Sequence, residues 1–140
     1  MTIPELFEAS KTIAVVGLSS DPMRSSYSVA MRMLRNGYTI IPVNPLLSEW
    51  EGLKSYPLVS SIPQSIEVDI VDIFRREEFI LEIVKDSLTR KPLPMCIWLQ
   101  QDLRSAESER LCEEHGVFYV EDACLAVDYG IYTAQQRSQR

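Results

Sequence analysis

An apolar run that stops at a glycine and is followed by a helical pattern leaves a chain few ways to fold. Thr12 to Met33 is such a stretch. Ile13 to Val16 is apolar, Gly17 ends it, and Leu18-Ser19-Ser20-Asp21-Pro22 supplies small, hydroxyl-bearing and turn-forming residues. A helical pattern begins near Ser26. Strand, glycine turn and helix form the corner at which α/β proteins hold phosphate. The first backbone N–H groups of the helix have no partner within it, and the helix dipole adds positive potential there.

The rest of the chain repeats the alternation. Pro4 to Ala9 reads as a short lead-in helix and Thr12 to Val16 as the first strand. Helix is expected from Ser26 to Asn36, where Val29, Ala30, Met33 and Leu34 make one apolar stripe, with Gly37 as a left-handed cap. Strands follow at Tyr38 to Val43, Val68 to Phe74, Met95 to Leu99 and Val117 to Val120. Helices are expected over Arg76 to Thr89 and Ser105 to His115, with another starting near Cys124. Between Leu46 and Pro63 the chain is irregular, and only Lys54 to Tyr56 suggests a strand. Alternating strands and helices imply a Rossmann-like, doubly wound parallel sheet. A length of 140 residues suits one domain. That domain is expected to span residues 1–132, followed by a polar, frayed tail from Thr133 to Arg140.

Composition removes several classes of function. A net charge of −6 argues against nonspecific nucleic-acid binding, which needs a basic face. Any positive charge offered to an anion must be gathered locally. No apolar run approaches the roughly 20 residues of a membrane span, and Met1 to Glu8 lacks a signal-peptide pattern. The three cysteines match no metal or Cys-x-x-Cys spacing, so free thiols and a cytoplasmic location are expected. The single histidine makes a zinc site implausible.

In a doubly wound sheet, ligands bind outside the carboxyl ends of the strands. That rule nominates Gly17 to Tyr27, Asn44-Pro45, Phe74-Arg75-Arg76, Gln100 to Asp102 and Glu121 to Cys124, and it demotes His115 and Gly37. Gly17 permits a tight turn, Ser19 and Ser20 can donate to phosphate oxygens, and Arg24 can add a charge-assisted bond. Spacing alone leaves an ordinary serine-capped turn equally open. The loop is neither the dinucleotide fingerprint nor a nucleotide-triphosphatase loop. Domains that bind NAD usually carry an acid after the second strand, whereas this chain has Asn44. A neutral residue there disfavours NAD and leaves coenzyme A and NADP, both with a phosphorylated ribose, as candidates. Asn44-Pro45 can also serve simply to end a strand. Arg75 and Arg76 form a local positive focus in an acidic chain. Phe74 can pack on an adenine or a pantetheine arm.

The ordered set Ala14-Val15-Val16-Gly17-Leu18-Ser19, Pro22-x-Arg24-x-Ser26-Tyr27, Pro42-Val43-Asn44-Pro45, Asp69 to Arg76, Trp98-Leu99-Gln100 and Asp122-x-Cys124 resembles the small CoA-binding domain family. That family is related to the N-terminal domain of the succinyl-CoA synthetase α subunit. The resemblance spans residues 12 to about 130 and implies coenzyme A as the ligand. It implies that Gly17, Ser19, Ser20, Arg24 and Tyr27 hold phosphates, with Leu18 in the same loop. Asn44 and Pro45 would border the adenosine, and Phe74, Arg75 and Gln100 would line the rest of the cleft. The family commonly has a glycine shortly after Trp-x-Gln. Here Gln101-Asp102 stands instead, a bulkier and acidic turn near the expected thiol end. The synthetase's phosphohistidine domain has no counterpart in these motifs, so ligase activity is not implied.

The chain is therefore expected to be a CoA- or acyl-CoA-binding module acting as carrier, sensor or regulator, its number of subunits left open. Two alternatives remain. One is a thiol, redox or acyl-transfer enzyme using Cys124, whose helix N-terminus favours a thiolate while Glu121 and Asp122 oppose it. The other is an NADP-dependent oxidoreductase domain.

Overall fold

The computed structural model describes residues 1–139. Its elements in order are α1 (Ile3–Ala9), β1 (Thr12–Val16), α2 (Ser25–Arg35), β2 (Thr39–Val43), β3 (Glu49–Trp50), β4 (Leu53–Lys54), a 3₁₀ turn (Val59–Ser61), β5 (Ile70–Ile73), α3 (Glu77–Ser87), β6 (Cys96–Leu99), α4 (Ala106–His115), β7 (Phe118–Val120) and α5 (Leu125–Ser138). Five strands form one sheet in the order β2-β1-β5-β6-β7, and every pairing within it is parallel. The chain leaves β1 for β2 on one side and returns to β5 on the other. Strand order therefore reverses between β1 and β5, which is where a doubly wound sheet opens a crevice.

Each face of the sheet carries its own apolar layer. Leu6 and Phe7 of α1, Val29, Ala30 and Met33 of α2, and Leu125 and Ala126 of α5 cover one face. Ile80 and Val84 of α3, Cys112 of α4, and Val59 and Ile62 cover the other. Burial on both sides explains why β5 and β6 are buried at every position rather than alternating. Local signals set the helix ends. Thr2 and Glu5 form a reciprocal capping box on α1, Ser105 accepts from the Ser108 N–H, and Gly116 closes α4 at φ +71°.

Two expectations change. The irregular segment holds a two-residue-per-strand hairpin, β3 with β4, reversed at Glu51 (φ +50°) and Gly52 (φ +78°). Beyond it, Tyr56 bridges to Val43 instead of extending a strand from Lys54. At the carboxyl end, α5 runs through Ser138, so most of the stretch expected as a tail is helical, and Arg140 lies outside the described residues. Tyr129 and Tyr132 explain the difference. Both pack on Phe7, with ring centroids 5.4 and 5.6 Å away, and they anchor a helix whose last turns are polar. Among the described residues no helix is long and apolar enough to cross a membrane.

The loop between β4 and β5 is ordered from within. Arg90 is 1% exposed, and its guanidinium donates to the carbonyls of Val59, Ile62, Pro63 and Ile66 at 2.5–3.3 Å. A planar fork of donors suits four carbonyls spread along one loop, and an ammonium does not. Arg90→Met is expected to lower unfolding free energy by about 3 kcal/mol in urea titrations, with Arg90→Lys recovering less than half. Equal stability of the two variants would show that the fork carries no special weight.

Candidate functional site

The crevice between β1 and β5 is built on one close approach. The Gly17 N–H donates to the Val43 carbonyl at 2.8 Å, and the Phe74 N–H donates to the Val16 carbonyl at 2.9 Å. The first bond ties the end of β1 to β2, and the second draws it against the chain after β5. Gly17 sits at φ +82°, and a Cβ there would lie 2.2 Å from the Phe74 carbonyl oxygen and 2.9 Å from Arg75 Cδ. No other residue fits without moving backbone.

From Gly17 the loop is fixed by short-range bonds. The Ser19 N–H donates to Ser26 Oγ, the Asp21 N–H to Ser19 Oγ, and the Met23 N–H to Asp21 Oδ1. Two side chains from elsewhere hold its carbonyls. Asn44 Nδ2 donates to Leu18 at 2.9 Å and Trp50 Nε1 donates to Ser19 at 3.1 Å. Trp50 is buried and packs edge-on to Tyr27, whose hydroxyl donates to Glu51 Oε1. At the start of α2 the N–H groups of Ser25 and Ser26 have no partner among the described residues. They face the end of the cleft as the positive end of an 11-residue helix.

The cleft itself has a volume of about 610 Å³ and is lined by Gly17, Ser19, Arg24, Ser25, Ser26, Phe74, Arg75, Arg76, Gln101 and Leu103. Three arginines and no carboxylate line it. Neither Arg24 nor Arg75 enters an ion pair among the described residues, while Arg76 lies 3.9 Å from Glu78. A second, more apolar groove of about 360 Å³ adjoins it, between Val43, Pro45, Pro57 and Leu58 on one side and Phe79 and Ile83 on the other. Arg75 borders both openings, its guanidinium 4.7 Å from the centre of the Phe79 ring. Adjacent polar and apolar openings that share a guanidinium can take a ligand with an anionic middle and a flat apolar end.

The nominated residues fall into three groups. Gly17, Ser19, Arg24, Phe74 and Arg75 line the cleft, and Pro45 lines the groove. Leu18, Tyr27 and Asn44 instead support the loop: Leu18 is fully buried, Tyr27 lies against Trp50, and Asn44 spends its amide on Leu18 and its oxygen on the Leu46 N–H. Ser20 is exposed beside them. Gln100 is the clearest displacement, because its side chain turns inward to Asp72 and Gln101 faces the cleft in its place. Ser25, Ser26, Gln101, Leu103 and the groove residues other than Pro45 and Arg75 were not singled out from sequence. The strand-end rule covered Ser25, Ser26 and Gln101 by range and stopped one residue short of Leu103, and nothing short of side-chain direction chooses between Gln100 and Gln101.

The turn after β6 keeps a glycine-like path without glycine. Asp102 adopts φ +71°, its N–H donates to Asp122 Oδ1 at 2.7 Å, and the Asp122 N–H donates to the Leu103 carbonyl at 3.0 Å. Arg104 pairs with Asp122 and lies 3.7 Å from Glu121. Cys124, half-buried, is the N-cap of α5 and lines neither opening. His115 ends α4 with Nδ1 against the Leu111 carbonyl, at the amino edge of the sheet.

Beneath the cleft lies a buried acid. Asp72 of β5 is fully buried and accepts from Gln100 Nε2 at 2.5 Å, while its other oxygen has no partner among the described residues. Burial pushes its carboxyl from the ordinary 3.8 up to about 8, and the Gln100 hydrogen bond opposes this only in part.

A family model described as a CoA binding domain matches residues 11–130. The chain belongs to the CoA-binding domain family. It is 38% identical over 130 residues to the uncharacterized protein YneT of Bacillus subtilis, covering 92% of this chain and 93% of that one. It is 25% identical over 126 residues to an ADP-forming acetate–CoA ligase of Archaeoglobus fulgidus, covering 83% of this chain but 19% of the ligase. A solved structure from Thermus thermophilus superposes with a TM-score of 0.86 at 30% identity, covering 94% of this chain and 99% of that one.

Two predictions follow from this geometry. Gly17→Ala is expected to cost at least about 2 kcal/mol in denaturant unfolding, from strain and backbone collision together. Gly52→Ala, at a similar φ with no atom within 4 Å, is expected to cost about 1 kcal/mol. A Gly17→Ala midpoint at or above that of Gly52→Ala would mean the approach to Phe74 relaxes freely. For Asp72 the sign is fixed by its raised pKa. Between pH 3.8 and about 8 the unfolded chain releases a proton that the folded chain keeps. The stability it contributes is therefore fully present below pH 3.8 and falls away as pH rises through about 8, by up to about 1.4 kcal/mol per pH unit. Unfolding at pH 5, 7 and 9 should show Asp72→Asn gaining on the wild type with each step. Parallel pH profiles would contradict a neutral Asp72.

Proposed function

We propose that this CoA-binding domain is a stand-alone binding module for coenzyme A or an acyl-CoA, serving as a carrier, sensor or regulator without chemistry of its own. The observation that carries the reading is the pairing of the arginine-lined cleft with the apolar groove, joined at Arg75. The residues fit the ligand's parts. Ser19, Arg24 and the free Ser25 and Ser26 N–H groups offer donors to a pyrophosphate. Val43, Pro45 and Phe79 offer apolar surface to an adenine. Arg75, between them, is placed for the ribose 3′-phosphate, and Asn44 sets no carboxylate against it. Phe74 and Leu103 supply apolar contact for a pantetheine arm leading toward Asp102.

A reaction at Cys124 has less support, since that thiol borders neither opening and the single histidine lies at the opposite edge. An NADP-dependent reading meets the same cleft but lacks the full glycine fingerprint.

Thermal-shift screening against CoA, acyl-CoAs, NAD, NADP and ATP is expected to single out the CoA compounds. In calorimetry, Arg75→Ala is expected to weaken CoA binding by about tenfold or more, the worth of one charge-assisted bond. The loss for dephospho-CoA should be within about threefold. Equal wild-type affinity for CoA and dephospho-CoA would overturn the role given to the 3′-phosphate. Preference for NADP over CoA would overturn the ligand.

A further inference from the structure

Asp72 is the one carboxylate among the buried residues, and the fold does not need a charge there. It lies on the central strand, opposite Val15 of β1 and Trp98 of β6, two residues before Phe74 at the rim. At a rise of about 3.3 Å per residue its Cα is roughly 7 Å below the cleft floor. Its sheet face is covered by α1, α2 and α5 through Leu6, Ala30 and Leu125, all uncharged. From β6 it is faced by Gln100 and by Cys96, a buried thiol held well above its ordinary pKa mainly by burial, with Asp72 contributing. No cation pairs with it among the described residues.

We propose that Asp72 is a proton-linked residue beneath the anion cleft: it carries a proton whenever a polyanion is bound, so that wherever the free protein has lost that proton, binding takes one up. The inference rests on the ligand reading above. Phosphates in the cleft and an ionised Asp72 would be like charges separated by a poorly screened interior. Repulsion is relieved when the carboxylate takes one proton from solvent, and no other bond changes. The neutral acid keeps its contact with Gln100, which adjoins Gln101 in the cleft wall. The Gln100 N–H favours the ionised form as well, so what a charge on Asp72 lacks is a partner for its second oxygen, which has none among the described residues, and a cation to offset phosphate above it. Burial holds the free protein's carboxyl near pH 8, so the linkage is felt from there upward. Below pH 7 the acid is already protonated, and Asp72 contributes no further change in affinity there.

Adenosine 3′,5′-bisphosphate is the suitable probe. It has no thiol, and its phosphates are fully ionised above pH 8. Titration calorimetry at pH 8 in buffers of different ionisation heat is expected to show uptake of about half a proton per site, and affinity at pH 9 about tenfold weaker than at pH 7. Asp72→Asn, which keeps an oxygen for Gln100, should abolish the uptake and make affinity the same at both pH values. A merely structural Asp72 would instead shift affinity equally at pH 7 and pH 9. If the variant folds poorly, carbon NMR of the wild-type Asp72 carboxyl reports the same point, its titration moving upward when the probe binds. Binding with no uptake and no pH dependence overturns the linkage and leaves the ligand reading intact. No binding at either pH overturns the ligand reading and the linkage with it.

Discussion

The contact of the Gly17 backbone with the Phe74 carbonyl is the constraint on which the site depends. It falls where the strand order reverses, so the helix after β1 returns along one face of the sheet and the helix after β5 along the other. Two chains that leave a common point in opposite directions open a crevice above it. A side chain at Gly17 would fill the floor of that crevice or push β1 and β5 apart. With glycine there, Arg24 from one loop and Arg75 from the other reach the same cleft.

Electrostatics sharpens the arrangement. The chain carries a net charge of −6, yet its cleft holds arginines and no carboxylate. Excess acid is placed on outer helix faces, as in Glu113 and Glu114 of α4, or at the start of α3, where Glu77 and Glu78 suit the dipole. Two carboxylates line the adjoining groove, Glu82 and Asp86, and of these Asp86 accepts from both the N–H and the hydroxyl of Ser60. An anion therefore meets a local field opposite in sign to the molecule's own, a contrast that salt weakens.

The strand-and-helix alternation and the crevice were legible in the sequence because each rests on local pattern: apolar runs, caps and the glycine that ends β1. Three features were not legible, each for a physical reason. Trp50 reaches Ser19 across 31 residues, a contact no local pattern encodes. Gln100 and Gln101 are adjacent and chemically identical, so only the turn after β6 decides that one meets Asp72 and the other the cleft. The second half of α5 looks like a tail because its last turns are polar and Gly130 interrupts it. What orders it is Tyr129 and Tyr132 meeting Phe7, more than 120 residues earlier. Asp72 is a different case. Within Asp69-Ile70-Val71-Asp72 the two acids look alike in sequence, but Asp69 accepts from the exposed N–H of Lys11 while Asp72 is buried in mid-strand.

The turn after β6 shows how a departure from a family's pattern is to be read. Gln101-Asp102 in place of a glycine-bearing turn suggests a different path, but Asp102 takes a left-handed conformation of the kind glycine favours. Aspartate is among the few residues that tolerate it. The strain is offset by neighbours, since Asp122, itself at φ +52°, accepts the Asp102 N–H and is in turn held by Arg104. The turn is thus held left-handed by a residue that also adds a negative charge, at an exposed position between the two cleft residues Gln101 and Leu103. Two strained acids at one rim, each restrained by hydrogen bonds, mark a position maintained against local preference, and such positions gather where a fold meets its ligand.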